Sequence, residues 1–248
     1  MKTFNALLKM EYILSKRSVS VLLLGMGMPI AFFLLFSTLW ANDDSMSREM
    51  IQTWTQRYLM SMTAFSSISF ALFTLPYAFQ EDRIGNRLKN IQHSPITTWQ
   101  YYVAKIIRIL LHFVLAIFAV FMVGHFVKGI TMPLTSWLAS GGLLFFGATC
   151  FMPFGLLLGF IKSAEKLSIV SNIIYMGLSV LGGLWMPVET FPDWMQHISK
   201  FTPTYHLNNL IISYFDKDFS FQSLLILLAY AMIVLVVSLV IRKRIEVK

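Results

Sequence analysis

Ile106–Val127 reads IIRILLHFVLAIFAVFMVGHFV, and apart from Arg108, His112, Gly124 and His125 every residue in it is apolar. A helix rising about 1.5 Å per residue needs roughly 20 residues to cross the ~30 Å hydrocarbon core of a bilayer. This stretch is therefore a membrane span. Five more follow from the same test: Ser18–Trp40, Tyr58–Phe79, Leu134–Ile161, Leu167–Met186 and Phe221–Ile241. None shows the period-two alternation of a membrane β-barrel strand. The first span begins too late and runs too long for a signal peptide, and no small-residue cleavage site follows it. The expected fold is an all-α membrane protein of six spans, one domain over residues 1–248.

Composition agrees. Of 248 residues 56% are hydrophobic and 13% charged, with mean hydropathy +0.67, whereas a soluble domain carries about 25% charged residues. The net charge of +8 would raise nucleic acid as a partner if it were spread over a soluble surface. Its placement says otherwise. Six spans put both termini on one side, and fifteen of the twenty Lys and Arg fall on that side: Lys2 to Arg17, Arg83 to Arg108, Lys162, Lys166 and the tail from Arg242. With the acidic residues included, that side carries +10 and the other −2. Such a bias makes the side with the termini cytoplasmic. The lone cysteine, Cys150, excludes an internal disulfide and a multi-cysteine metal site.

Ionisable groups inside a bilayer are costly and usually functional. Only span three holds any: Arg108, which can snorkel to the inner face, His125 near the outer end, and His112 at depth. His112 reads as a histidine hydrogen-bonded to a neighbouring helix or, alternatively, as a proton relay. HExxH, GxSxG and GxxxxGK[ST] motifs are absent. The chain is accordingly expected not to be an enzyme by itself, to hold no metal and to bind no nucleotide through a P-loop. His197 and His206 share an outer loop but make a weak metal pair. No intramembrane carboxylate is available for ion coupling. Gly155 and Gly159 form a GxxxG, expected to pack within the chain.

An N-terminal segment precedes the two segments that carry most of the information. Residues 1–17 interleave Phe4, Leu7, Leu8 and Tyr12 with Lys2, Lys9 and Glu11, the pattern of an amphipathic helix in the inner headgroup region. The inner loop EDRIGNRLKNIQHSPITTWQYYVAK, residues 81–105, then sets Leu88 and Ile91 among Arg87, Lys89 and Gln92. That is a short amphipathic helix stopped at Ser94-Pro95. Trp99, Tyr101 and Tyr102 return the chain to the interface. On the other side, GGLWMPVETFPDWMQHISKFTPTYHLNNL from Gly182 is broken by Pro187, Pro192 and Pro203. Its Phe191, Trp194, Met195 and Phe201 suggest short helices dipping into the outer interface.

These segments resemble those of ABC-2 type transporter permeases, the membrane subunits of ATP-binding-cassette exporters. The likeness rests on Glu81, Gly85, Leu88 and Ser94-Pro95-Ile96, with Lys105 after them, and on Gly183, Met186-Pro187, Pro192-Asp193-Trp194, Pro203 and Tyr205. It extends over essentially the whole chain. One departure is Leu210-Ile211-Ile212, where the family often has an arginine.

The resemblance implies a type V exporter-like architecture with outer re-entrant helices at Pro187, Pro192, Trp194, Pro203 and Tyr205. It implies a half-transporter paired with a second permease chain, as homo- or heterodimer, and with two ATPase subunits that bind ATP and magnesium. Glu81, Gly85, Arg87, Leu88, Ile91 and Pro95 would form the ATPase-coupling segment. Spans two and five would line the translocation path through Phe70, Phe73, Tyr77, Ile174, Tyr175 and Leu178, an apolar and aromatic lining without charge. Such a lining suits efflux of an amphipathic or lipophilic cargo: a drug, an antimicrobial peptide or a lipid-linked molecule. The chain carries no sorting signal, and a bacterial plasma membrane is the expected location. The rival readings are a membrane scaffold docking a different partner, and a channel or secondary transporter using His112.

Overall fold

The computed structural model describes residues 2–41, 47–85 and 97–246. Helix α1 (Lys2–Arg17) leads through Ser18 into α2 (Val19–Ala41), the first span. The second span is composite: α3 (Arg48–Ser69), a π-helical turn (Phe70–Thr74) and α4 (Leu75–Ile84). Helix α5 (Thr98–Lys128) is the third span. The fourth is α6 (Leu134–Cys150) with α7 (Met152–Leu158), and α8 (Ala164–Leu181) is the fifth. A 3₁₀ turn (Val188–Thr190), α9 (Asp193–Ser199) and α10 (Pro203–Phe215) lead to the sixth span, α11 (Phe221–Glu246). Six helices of these described residues are long and apolar enough to cross a membrane.

Span ends differ from the hydropathy reading, and for several of them single capping, glycine or proline residues give the reason. The second span starts at Arg48 instead of Tyr58, because the Ser47 hydroxyl accepts the Met50 N–H at 3.2 Å and Thr53 and Thr55 donate to carbonyls four residues back. Polar residues expected in a loop thus extend the helix. The third span starts at Thr98, where Thr97 accepts from the Gln100 N–H at 3.4 Å. Trp99, Tyr101 and Tyr102 therefore lie on helix turns of α5, not in an approach to it. The fifth span stops at Leu181 instead of Met186, since Gly183 takes a left-handed φ of 75° and the Leu184 N–H turns back to the Ser179 carbonyl. The fourth breaks at Phe151, ahead of Pro153, and ends at Leu158.

The second span is the axis of the molecule. Of its most apolar window 89% of residues are buried, against 11% in the first and sixth spans. Its small residues explain the tight fit: Ser61, Thr63, Ala64, Ser66, Ser67 and Ala71 are all buried. The hydroxyls of Thr63 and Ser67 donate to carbonyls four residues back, so a helix rich in Ser and Thr presents few unsatisfied groups. Helices α2, α5 and α6 pack round it. Gly155 of α7 touches the Ala71 backbone so closely that an added Cβ would run into the Ala71 carbonyl. The GxxxG glycine is thus spent on packing within the chain.

Helix α1 is helical over the expected span, and its apolar face rests on α5. Leu7 is buried against Tyr101 and Ala104, with Phe4 and Leu8 alongside.

Candidate translocation cavity and buried charge cluster

The π turn precedes Leu75-Pro76. Proline supplies no N–H to the turn before it, and a five-residue hydrogen-bond spacing absorbs that defect without ending the span. Beyond it, Phe73 and Tyr77 look into a cavity of about 700 Å³. The other walls are Leu14 and Arg17 of α1, Val21, Leu24, Gly25 and Met28 of α2, Arg108 and His112 of α5, and Asn172, Tyr175 and Met176 of α8. Tyr175 is the fixed point. Its ring stacks on Phe65 at 4.6 Å, meets the edge of Phe73 at 5.3 Å, and its hydroxyl donates to the Phe65 carbonyl at 3.1 Å. Gly25 lets α2 approach, because a Cβ there would stand 2.9 Å from the Phe70 ring; the Ser66 hydroxyl donates to its carbonyl.

Of the residues read as path candidates, Phe70, Phe73, Tyr77 and Tyr175 stand on this wall. Ile174 and Leu178 pack against the core instead. An uncharged lining does not hold for this cavity: Arg17, Glu81, Arg108 and His112 also border it.

The charged end of the cavity adjoins a cluster that sequence reading missed. Lys105 Nζ lies 2.7 Å from Asp82 Oδ2 and donates to the Ala78 carbonyl at 3.1 Å. Arg108 Nε lies 3.1 Å from Glu11 Oε2. The four side chains are 0–9% exposed. Two acids and two bases sum to zero, which is what makes such burial tolerable, since a lone ion there would cost several kcal/mol. Arg108 is buried, with its guanidinium on the carboxylate of Glu11 in α1. Lys105 and Asp82, read as orientation charges of a loop, join the third span to the end of the second. One turn further, Ser15 Oγ and His112 Nε2 are 2.8 Å apart. His112 is thus a histidine bonded to a neighbouring helix, and that helix is α1. The sequence signal was present in weak form: Lys105 interrupts the run between Ala104 and Ile106.

Of the coupling candidates, Glu81 borders the cavity, and Gly85 closes α4 with its N–H on the Glu81 carbonyl at 2.9 Å. Arg87, Leu88, Ile91 and Pro95 lie outside the described residues.

On the face opposite the termini, Pro192 and Pro203 stand at the starts of α9 and α10, and Trp194 is exposed. Pro187 and Tyr205 border a second cavity of about 300 Å³ between Trp40, Trp54 and Tyr58. Helix α10 is largely buried, with Leu207, Leu210 and Ile211 sealed from solvent. Leu210 and Ile211 therefore serve as core where the family often has an arginine. His206 is occupied by the Lys200 carbonyl at 3.0 Å and the Ser223 hydroxyl at 3.2 Å, and burial holds it below the usual histidine range. His197 Nδ1 is on the Asp193 carbonyl. Among the described residues no three His, Cys, Asp or Glu side chains gather as a metal site.

Six apolar spans round an aromatic-walled cavity with a buried ionic end define a multi-pass membrane protein of the transport class. Residues 2–216 match the family model of the ABC-2 type transporter. The chain belongs to that family, with the sixth span beyond the matched stretch. It is 32% identical over 220 residues to "Putative transport permease YvfS" of Bacillus subtilis (strain 168), covering 88% of each chain. It is also 24% identical over 140 residues to "Probable multidrug ABC transporter permease YbhR" of Escherichia coli (strain K12), covering 56% of this chain and 38% of that one. The chain is thus a transporter membrane subunit of a bacterial family.

Proposed function

We propose that this chain is the permease half of an ATP-driven exporter that moves an amphipathic or lipophilic cargo through the 700 Å³ cavity. Energy comes from two copies of a separate ATPase subunit, which hold ATP and magnesium. A second permease chain completes the path. Both termini face the cytoplasm of a bacterial plasma membrane, a reading that the fifteen-to-five split of basic residues supports, and lipid surrounds the outer faces of the spans.

The observation that carries this reading is the junction of cavity and charge cluster. Glu81 and Asp82 stand just ahead of the 86–96 segment proposed to dock on the ATPase, and Asp82 is ionically bound to Lys105 while Glu11 holds Arg108. A push on that segment is passed to α1, α4 and α5 together, and all three border the cavity. The aromatic wall of Phe70, Phe73, Tyr77 and Tyr175 suits an apolar body. Arg17, Glu81, Arg108 and His112 suit a polar head. The word multidrug in the name of the E. coli relative supports cargo of that kind.

Two measurements test the reading. Leu88→Asp with Ile91→Asp removes the apolar face of the docking segment, and the ATPase should no longer co-purify while the permease still elutes as a folded species. In proteoliposomes, transport of an amphipathic dye should require ATP and fall about tenfold in Phe73→Ala. Equal dye flux without nucleotide would overturn the proposal in favour of a channel.

A further inference from the structure

The 300 Å³ cavity opposite the termini lies apart from the proposed path, and its chemistry is different. Three of its walls are π faces or edges already fixed against one another. Trp40 meets Tyr58 at 4.9 Å and Trp54 at 6.0 Å, both in edge-on geometry. Tyr205 adds a fourth ring from α10. The remaining polar groups are almost all spent within the protein. Asn208 donates to the Gly183 carbonyl and accepts from Ser61, and Asn209 donates to Ser223. Arg57 is held by Asp216 at 2.6 Å, so its charge is matched. Glu189, an exposed residue on the 3₁₀ turn after Pro187, borders the cavity and makes no ion pair among the described residues. Its field reaches Tyr205, whose phenol is held above its ordinary range first by burial and then by Glu189. The side of the protein that bears this cavity carries a net −2 in sequence.

We infer that this cavity binds the positively charged head of an organic ammonium compound, with Trp40, Trp54, Tyr58 and Tyr205 supplying π faces and Glu189 the counter-charge. Aromatic rings attract a cation through their quadrupole, tryptophan most strongly, and a quaternary ammonium suits them because it is poorly hydrated. An anion would be repelled by Glu189. A neutral apolar guest would gain nothing from that carboxylate or from the ring quadrupoles. The volume is at the low end for small-molecule sites, enough for a head group and short of a large drug. The head belongs either to a soluble amphiphile or to an ammonium-bearing lipid. The site needs neither nucleotide nor ATPase, so it stands or falls separately from the transport reading.

The test uses the purified full chain in nanodiscs of phosphatidylglycerol, which has no ammonium head. Benzyltrimethylammonium is titrated against its uncharged isostere neopentylbenzene, with tryptophan fluorescence as readout. The cation should bind saturably and at least about tenfold more tightly than the isostere. Glu189→Gln, an exposed position that should leave melting unchanged, should weaken the cation about tenfold, and Trp54→Leu should weaken it similarly. Phe73→Ala in the other cavity should leave it unchanged. Equal binding of the isostere, an effect of Glu189→Gln below twofold, or loss of binding in Phe73→Ala would each overturn the site. Repeating the titration with phosphatidylethanolamine in the disc separates the two sources. Competition assigns the head to lipid, and unchanged affinity assigns it to a soluble amphiphile.

Discussion

Glu11 and Arg108 come from helices far apart in the chain, yet each is the other's charge partner at a buried position. A buried pair is worth little over a good apolar replacement, but breaking one side strands an ion. Arg108→Leu should therefore destabilise the protein by about 3–5 kcal/mol, read as a lower thermal midpoint in detergent. Glu11→Leu added to it should recover most of that loss. If the double variant melts no higher than the single one, the pair is not acting as a unit. The same residues mark the limit of what the sequence discloses. Their signs, and their place at the ends of apolar runs, were legible. Their partners were not, because an ion pair between α1 and α5 depends on packing that hydropathy does not encode. His112 shows the converse: a lone histidine in an apolar run already implied a partner on another helix, and only the identity of Ser15 was hidden.

At the scale of elements, apolar length located all six spans but not their ends. Ends are set by single capping residues, Ser47 and Thr97 at starts and Gly183 at a stop, whose effect is local and invisible to a window average. The second span shows another gap. Its serines and threonines lower its hydropathy, although it is the most buried helix, because small hydroxyl residues let neighbours approach. Gly155 is one of those approaches. Gly155→Ala should cost about 1–3 kcal/mol, since the new methyl would meet the Ala71 backbone, which cannot swing aside like a side-chain tip. Gly142→Ala, where nothing lies within 4 Å, should be neutral in the same melting assay. Similar losses for both would mean that the cost is conformational and not steric.

For the whole molecule, the fold class and the family were readable from six spans and two punctuated segments. The cavity was readable only in part: four of its aromatic wall residues could be named, but the charges beside them could not. The spans on its rim leave much apolar surface exposed beyond the cavity wall, including Leu23 and Leu35 on α2 and Ile169 and Ile173 on α8. In the proposed assembly a second permease chain covers this side. Ile173→Cys should then form an oxidative dimer in membranes, while Met232→Cys on α11 should remain monomeric. Cys150 is buried and does not compete. Cross-linking of Met232→Cys in place of Ile173→Cys would put the seam on the other flank.

The π turn at Phe70–Thr74 also has a kinetic signature. Its wider ring breaks the regular ladder of amide bonds, so the second span does not open as one cooperative unit. Deuterium uptake followed by mass spectrometry should divide it into two blocks, Arg48–Ser69 and Leu75–Ile84, with the amides between them exchanging first. The most buried helix of the molecule would then be the one with an internal seam.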